Sequence, residues 1–184
     1  MGCSLEDIQR SGAAQVNLVV SWSGLAAAKK LQQLYGTPYV VGAPVGKTFT
    51  AEVLDALRQS AQDKTCRDLC KPASPDGKLV LIGESVTTLS LAAALRREGT
   101  GDIRVICPVS CEEHQGMVRA LDEDELVSAL DGAETIIADP LYQPICKEKR
   151  FVRLPHEAFS GRLFRREDMN LLTGFEQLKS NILG

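Results

Sequence analysis

The feature that most constrains the fold is the alternation of short apolar runs with segments whose apolar residues recur at helical spacing. Runs of strand-like composition fall at residues 16–21, 38–42, 78–82, 103–107, 134–138 and 151–154. Helix-period segments lie at residues 24–35, 48–61 and 86–97, with further helices beginning at residue 122 and near residue 167. Strands that alternate with helices predict a parallel β-sheet whose two faces are covered by helices. We therefore predict an α/β fold.

The chain carries one strong candidate for a boundary between two lobes. Residues 71–77 contain two prolines and one glycine, which is typical of a linker or loop. On each side of this segment a strand, a helix and a second strand lead into a proline loop, so the two parts echo one another. We expect a partial first lobe at residues 1–72, with the C-terminal helix as a candidate to complete it, and a second lobe at residues 77–184.

Composition argues against nucleic acid and membranes as partners. The 21 basic and 24 acidic side chains give a formal net charge of −3, and one tryptophan and three tyrosines are present for base stacking. No apolar run approaches the ~18 residues of a membrane span. Residues 1–7 lack the basic and apolar regions of a secretory signal. We expect neither kind of partner and a cytoplasmic location.

Two loops between a strand and a helix resemble nucleotide-binding motifs without completing either. Gly42 and Gly46 enclose three residues, one of them proline, whereas a phosphate-binding loop has four residues whose amides surround the phosphate. After Gly83, Ser85 and Thr88 stand where a dinucleotide fingerprint has glycines. We expect no nucleotide on this chain, while a small anion at the second helix N-terminus stays open.

Six cysteines in a chain without a secretory signal favour reduced thiols or metal ligands over disulfides. Most are predicted to be core residues, and none forms the two-residue-spaced pair typical of zinc. Cys66 and Cys70 are four residues apart and would share a face of a helix. Cys66 lies between Lys64 and Arg67, whose charges favour a thiolate, so it is the least suited to a core position.

The chain has two histidines, His114 and His156. His156 follows Pro155 at the end of a predicted strand, where ligand sites of α/β proteins gather. The alternative is an ordinary surface histidine, since no Ser/His/Asp or paired-carboxylate pattern accompanies either one.

Several segments, taken in order, match one known family. They are residues 17–21, 35–39 with the loop at 44–50, 77–84, 122–139 and 154–162. Together they resemble the nitrogenase component 1 family, which includes the molybdenum-iron protein chains, their cofactor-assembly scaffolds and the dark-operative protochlorophyllide reductase chains. The resemblance implies Rossmann-like parallel sheets flanked by helices. It also implies that the chain corresponds to the C-terminal two lobes of longer, three-lobed family members.

The resemblance also implies candidate metal ligands. Family chains that hold an active-site metal cluster ligate it through a cysteine after the Pro-x-Gly loop and its helix, and through a histidine in a late loop. Cys66 falls near the first position, and His156 lies in the late loop, although residues 160–166 contain no histidine. Cys66 and His156 are therefore the expected ligands of an iron-sulfur or related metal cluster, while no catalytic residue is assigned.

Two functional hypotheses follow from the resemblance. In the first, the chain is part of a component 1-like oxidoreductase that receives electrons from an ATP-dependent iron-sulfur reductase and works with another nitrogenase-like chain in an oligomer. Its substrate or metallocofactor would lie in an interlobe cleft lined near Ser21, Pro44, Glu84, Pro108 and His156. In the second, the chain is a non-catalytic module that holds a metallocofactor, a tetrapyrrole or a small anion.

Overall fold

The computed structural model describes residues 3–70, 74, 76–109, 117–156, 159–160, 163 and 170–183. Its β-strands are β1 Asn17–Val19, β2 Tyr39–Val41, β3 Arg67–Asp68, β4 Leu79–Ile82, β5 Ile103–Cys107, β6 Val118–Arg119, β7 Thr135–Ala138 and β8 Arg150–Arg153. The α-helices with described bounds are α1 Leu5–Gln9, α2 Leu25–Tyr35, α3 Lys47–Asp63, α4 Ser85–Arg97, α5 Glu123–Ala129 and α6 Phe175–Leu183. Three 3-10 helices lie at Arg10–Ala13, Trp22–Gly24 and Pro140–Ile145. None of the described helices is both long enough and apolar enough to cross a membrane.

The strands form two parallel sheets, which confirms the predicted α/β fold. The first sheet has three strands in the order β1-β2-β3. The second has five strands in the order β6-β5-β4-β7-β8. All of its neighbours pair in parallel. After β4 the chain adds β5 and β6 on one side of that strand, and it then returns to the other side of β4 to form β7 and β8. The strand order therefore reverses between β4 and β7.

The second sheet is buried on both faces, as expected for a parallel sheet between helices. Along β4, Leu81 packs in one hydrophobic cluster, while Val80 and Ile82 pack in another on the opposite face. Neighbouring β7 repeats this alternation, with Ile137 in the first cluster and Ile136 in the second. The period of two places successive side chains of these strands in apolar surroundings on opposite faces of the sheet.

Helix α4 lies at the centre of the molecule. Ten of its thirteen residues are buried, from Ser85 to Leu95. The hydrophobic cluster that contains seven of these ten residues also includes Val41 and Phe49, so one hydrophobic core extends across both sheets. This explains why the sequence of α4 is apolar on nearly all sides.

Polar contacts also connect α4 with α3 and with the loop after β2. The Arg97 guanidinium of α4 donates to both carboxylate oxygens of Glu52 on α3, with the Nη2–Oε2 pair 2.6 Å apart, and lies 5.2 Å above the Phe49 ring. The Ala43 amide, after β2, donates to the buried Ser90 hydroxyl of α4 at 2.8 Å. The loop after β2 and the helix that follows it are therefore held against α4.

Helix α6 packs in the hydrophobic cluster that contains residues of both sheets. Phe175, Leu178 and Ile182 are buried in the shared cluster. Lys179 donates to Glu98 at the end of α4 (3.0 Å), and Arg150 of β8 donates to two carbonyls near the end of α6. The lobe bounds at residues 72 and 77, and the assignment of α6 to the first lobe, stay predictions.

The structure differs from expectation in several places. Helix α1 and the three 3-10 helices were not predicted. Cys66 and Cys70 do not share a helix face, because the chain between them is extended and forms β3 beside β2. Strands β3 and β6, of two residues each, were not predicted. The last helix, expected over residues 167–183, has its described part at Phe175–Leu183; residues 164–169 lie outside the described part of the chain.

Candidate functional site

A cavity of about 440 Å³ lies at the carboxyl edge of the second sheet. It is bounded by the ends of β4 and β7, the two strands between which the strand order reverses. In open α/β sheets this switch point is where ligands bind, because the loops on its two sides diverge and leave a crevice. The described lining residues run from Ile82 to Leu171, and an interlobe cleft stays a prediction.

The cavity walls are largely apolar with a few polar groups, a composition typical of small-molecule sites. The apolar lining comes from Ile82, Leu91, Leu154, Pro155, Phe159 and Leu171, and the polar lining from Glu84, Thr87, Thr88, Asp139, Tyr142, His156 and Asn170. Glu84 and His156 were both expected at the cleft. Ser21, Pro44 and Pro108, expected beside them, are not among the described lining residues.

The carboxylate of Glu84 caps helix α4 and also binds the first lobe. Its Oε2 accepts the Thr87 amide at 3.0 Å, which is the N-cap interaction that satisfies a free amide of the first helical turn. Its Oε1 accepts the Trp22 amide at 2.6 Å and the Ser85 hydroxyl at 3.4 Å. The N-terminus of α4, where a Rossmann fold would bind a pyrophosphate, is thus occupied by the chain's own negative charge.

Asp139 holds together the loops that form the opposite wall. This side chain is 4% exposed. Its Oδ1 accepts the Leu141 amide at 2.9 Å, and its Oδ2 accepts the His156 amide at 2.8 Å and the Ser160 hydroxyl at 2.6 Å. The carboxylate ties the end of β7 to the loop after β8, which makes it a structural support of the cavity.

Tyr142 and His156 are the two polar aromatic groups of the cavity. Burial, followed by the nearby Asp139 and Cys107, raises the pKa of the Tyr142 phenol, so its hydroxyl stays protonated at neutral pH. The exposed His156 ring lies 5.2 Å from the Phe159 ring at an interplanar angle of 68°, in edge-to-face geometry. Both side chains can therefore offer a polar group beside an apolar wall.

Cys66 lies in a different place. It is half-buried and lines a smaller pocket of about 150 Å³ together with Lys29, Arg67 and Asp68. Cys66 precedes β3 in the first sheet, whereas His156 follows β8 at the far edge of the second. The two expected metal ligands thus line separate pockets.

The described residues do not fit a metal cluster held by several protein ligands. No three or more histidine, cysteine, aspartate or glutamate side chains among them are grouped so as to hold a metal ion. Cys70, the nearest cysteine to Cys66 in the sequence, is buried and contacts the Ser90 hydroxyl at 3.7 Å. His114 lies outside the described residues. Metal ligation by Cys66 and His156 stays a prediction.

Sequence reasoning missed several lining residues. Asp139 had a usable signal, since an acidic residue followed by Pro140 directly after a buried strand places a carboxylate at the carboxyl edge. Tyr142 follows in an irregular 3-10 helix, and Leu171 lies 80 positions after Leu91, which faces the same cavity. Tertiary packing alone brings these groups together.

Comparison with known proteins identifies one family. The family model of nitrogenase component 1 type oxidoreductases matches residues 1–76, that is, 76 of the 184 residues. No match was found among curated proteins or among solved structures. The matched segment contains the first sheet, helices α1 to α3 and the glycine loop that precedes α3. Residues 1–76 of this chain are therefore similar to the nitrogenase component 1 type oxidoreductases.

Proposed function

We propose that the chain takes part in a component 1-type oxidoreduction and binds a small molecule in the cavity at the end of β4 and β7. The observation that carries this proposal is the cavity itself, with largely apolar walls and a few polar groups at the switch point of the second sheet. Electrons would come from a separate ATP-dependent iron-sulfur reductase, and a second nitrogenase-like chain would complete the oligomer.

The family match supports the reaction class, and the cavity supports the binding step. A volume of about 440 Å³ falls within the range of small-molecule sites. The protonated Tyr142 hydroxyl and the His156 ring would orient the bound molecule, while Leu91 and Leu154 exclude water from around it. No reaction step is assigned to a metal cluster, because the described residues do not fit one.

Turnover tests the proposal. The chain would be purified anaerobically with its reductase and ATP and offered a panel of small unsaturated molecules and tetrapyrroles. Thr87 is half-buried in the cavity wall, so Thr87→Trp should fill the cavity and lower turnover at least tenfold. Ser128→Trp, on the exposed face of α5, is the matched control and should keep full activity. Equal activity in both variants would show that the cavity does not hold the substrate.

A second candidate is a binding or assembly module without catalysis. The separation of Cys66 from His156 favours it, because a carrier of an organic molecule needs no cluster ligands. This candidate predicts that ligands bind, that Thr87→Trp blocks binding, and that the reductase and ATP cause no turnover.

The predicted metal ligands are tested separately. Anaerobic iron and sulfide analysis of the wild type, Cys66→Ala and His156→Ala measures whether either residue holds a cluster. Iron lost in either variant would support ligation. An iron-free wild type that also fails reconstitution, or full iron content in both variants, would count against it.

A further inference from the structure

The polar end of the cavity is built to present a fixed negative charge. Glu84 lines the cavity beside Thr87 and Thr88 at the start of α4. The part of the cavity wall that the structure describes contains no lysine or arginine, and its second carboxylate, Asp139, adds to the negative charge. Among the described lining residues, the formal charges that a ligand meets are therefore those of two carboxylates.

Glu84 is held by donors from both lobes, so its position is well defined. Trp22 donates its amide from the first lobe at 2.6 Å, Thr87 its amide from α4 at 3.0 Å and Ser85 its hydroxyl at 3.4 Å. A carboxylate has about four acceptor positions, and donors among the described residues occupy three of them, which leaves the fourth for a ligand. They neutralise part of its charge through hydrogen bonds but supply no cation.

We propose that Glu84 determines the specificity of the cavity, admitting molecules that present a hydrogen-bond donor or a positive charge to it and rejecting those that present an anion. This inference rests on the proposed function, because it assigns a ligand class to the same cavity. It also makes Trp22 a positioning residue, whose amide keeps the carboxylate aimed at the cavity.

The size of the effect follows from Coulomb's law. Two unit charges about 8 Å apart, at an effective dielectric constant of about 20, change a binding constant by about 30-fold. Salt at physiological concentration, with a Debye length of about 8 Å, reduces this to about fourfold. Removing the charge at Glu84 should change the discrimination between neutral and anionic ligands by that factor.

A matched pair of fluorescent probes measures the discrimination. N-phenylnaphthylamine is neutral and carries one N–H donor, and anilinonaphthalene sulfonate has the same body with an added sulfonate. We define the probe ratio as the Kd of anilinonaphthalene sulfonate divided by the Kd of the neutral probe. This ratio is compared between the wild type and Glu84→Gln, which loses the charge but keeps an oxygen that can cap α4. Glu123→Gln is the control, since it makes the same change of net charge at the exposed start of α5.

We expect Glu84→Gln to tighten anilinonaphthalene sulfonate about fourfold relative to the neutral probe, and Glu123→Gln to leave the ratio unchanged. Equal ratios in the wild type and in Glu84→Gln would overturn the specificity proposal. Thr87→Trp, which fills the cavity, should abolish binding of the neutral probe. If the neutral probe binds Thr87→Trp as it binds the wild type, the cavity is not the binding site and the proposed function fails instead.

A second pair of variants tests the role of Trp22 without changing Glu84. Trp22→Pro removes the amide hydrogen at the first position of a 3-10 helix, where proline is tolerated, and Trp22→Ala removes the same indole but keeps the amide. We expect the probe ratio to fall at least threefold in Trp22→Pro and to stay near the wild-type value in Trp22→Ala. The same ratio in both variants would refute the positioning role.

Discussion

Substituting Gly46 tests how the first lobe packs against α6. Gly46 directly precedes α3, has a φ of 55° and a ψ of −172°, and donates its amide to the Leu171 carbonyl at 2.9 Å. A Cβ placed on it would lie 2.6 Å from Cδ1 of Phe175, a side chain that is 3% exposed. Gly46→Ala therefore combines backbone strain with overpacking of a buried ring.

The expected cost follows from these two terms. A non-glycine residue in this backbone region costs roughly 1–3 kcal/mol. Overpacking a buried ring adds roughly 1–3 kcal/mol. We expect Gly46→Ala to lower the free energy of unfolding by about 4 kcal/mol, which for a chain of this size lowers the Tm by about 8–16 °C. Urea unfolding followed by circular dichroism, with a thermal melt, measures both.

Two controls separate the terms. Gly36→Ala, at a φ of 68° with nothing within 4 Å of its Cβ, carries backbone strain alone and should cost about 1–2 kcal/mol. In a Phe175→Ala background, Gly46→Ala should lose its steric part and cost about 2 kcal/mol. If Gly46→Ala costs no more than Gly36→Ala, or costs the same with and without the Phe175 ring, the packing of α6 on this loop is refuted.

Further predictions concern thiols, a buried carboxylate and acid stability. Burial raises the pKa of the Cys70 thiol to about 12. In the native protein, iodoacetamide should therefore modify the exposed Cys3 and leave Cys70 unmodified until urea is added. Peptide mass spectrometry measures the modification, and labelling of Cys70 in the native protein would contradict the prediction. Asp139→Ala leaves three hydrogen-bond donors without their carboxylate and should lower the free energy of unfolding by about 3 kcal/mol. A urea titration measures this loss, and a loss below about 1 kcal/mol would refute the supporting role of Asp139. Hydrogen bonding from Arg67 lowers the pKa of Asp63 below its ordinary 3.8. The stabilisation from this pair is thus complete above that value and is lost as the pH falls toward the lowered folded-state pKa. The stability difference between Arg67→Gln and the wild type should accordingly shrink as the pH falls below 3.8, and a constant difference would contradict the pairing.

Much of the fold was predictable because its longer elements carry strong periodic signals. The strand at residues 103–107 was predicted with the bounds that the structure has, since a run of apolar β-formers between turn residues has few alternatives. The helix expected at residues 86–97 begins one residue earlier, at Ser85. Strands β3 and β6 were missed because two residues show no period, and they exist only by pairing with β2 and β5.

Less of the candidate site was predictable. Because Glu84 and His156 follow predicted strands, the sequence predicted both at the carboxyl edge of a sheet. Both residues line the cavity. The family resemblance made Cys66 an expected cluster ligand together with His156, and that assignment stays a prediction. The structure places Cys66 before β3, in a pocket separate from the cavity that His156 lines. Local charge describes a residue's neighbours in the chain but carries no information on which edge of which sheet they face.

The sequence by itself determined the fold class and the carboxyl ends of β4, β5 and β7, because hydrophobic periodicity and turn residues act over a few positions. Only the tertiary structure decided the join between the lobes and the contents of the cavity. The Trp22 amide meets the Glu84 carboxylate across 62 positions, and the Gly46 amide meets the Leu171 carbonyl across an even longer stretch. Such contacts form because α4 and α6 bury their apolar faces against both sheets, and that burial leaves no local pattern at the residues it brings together.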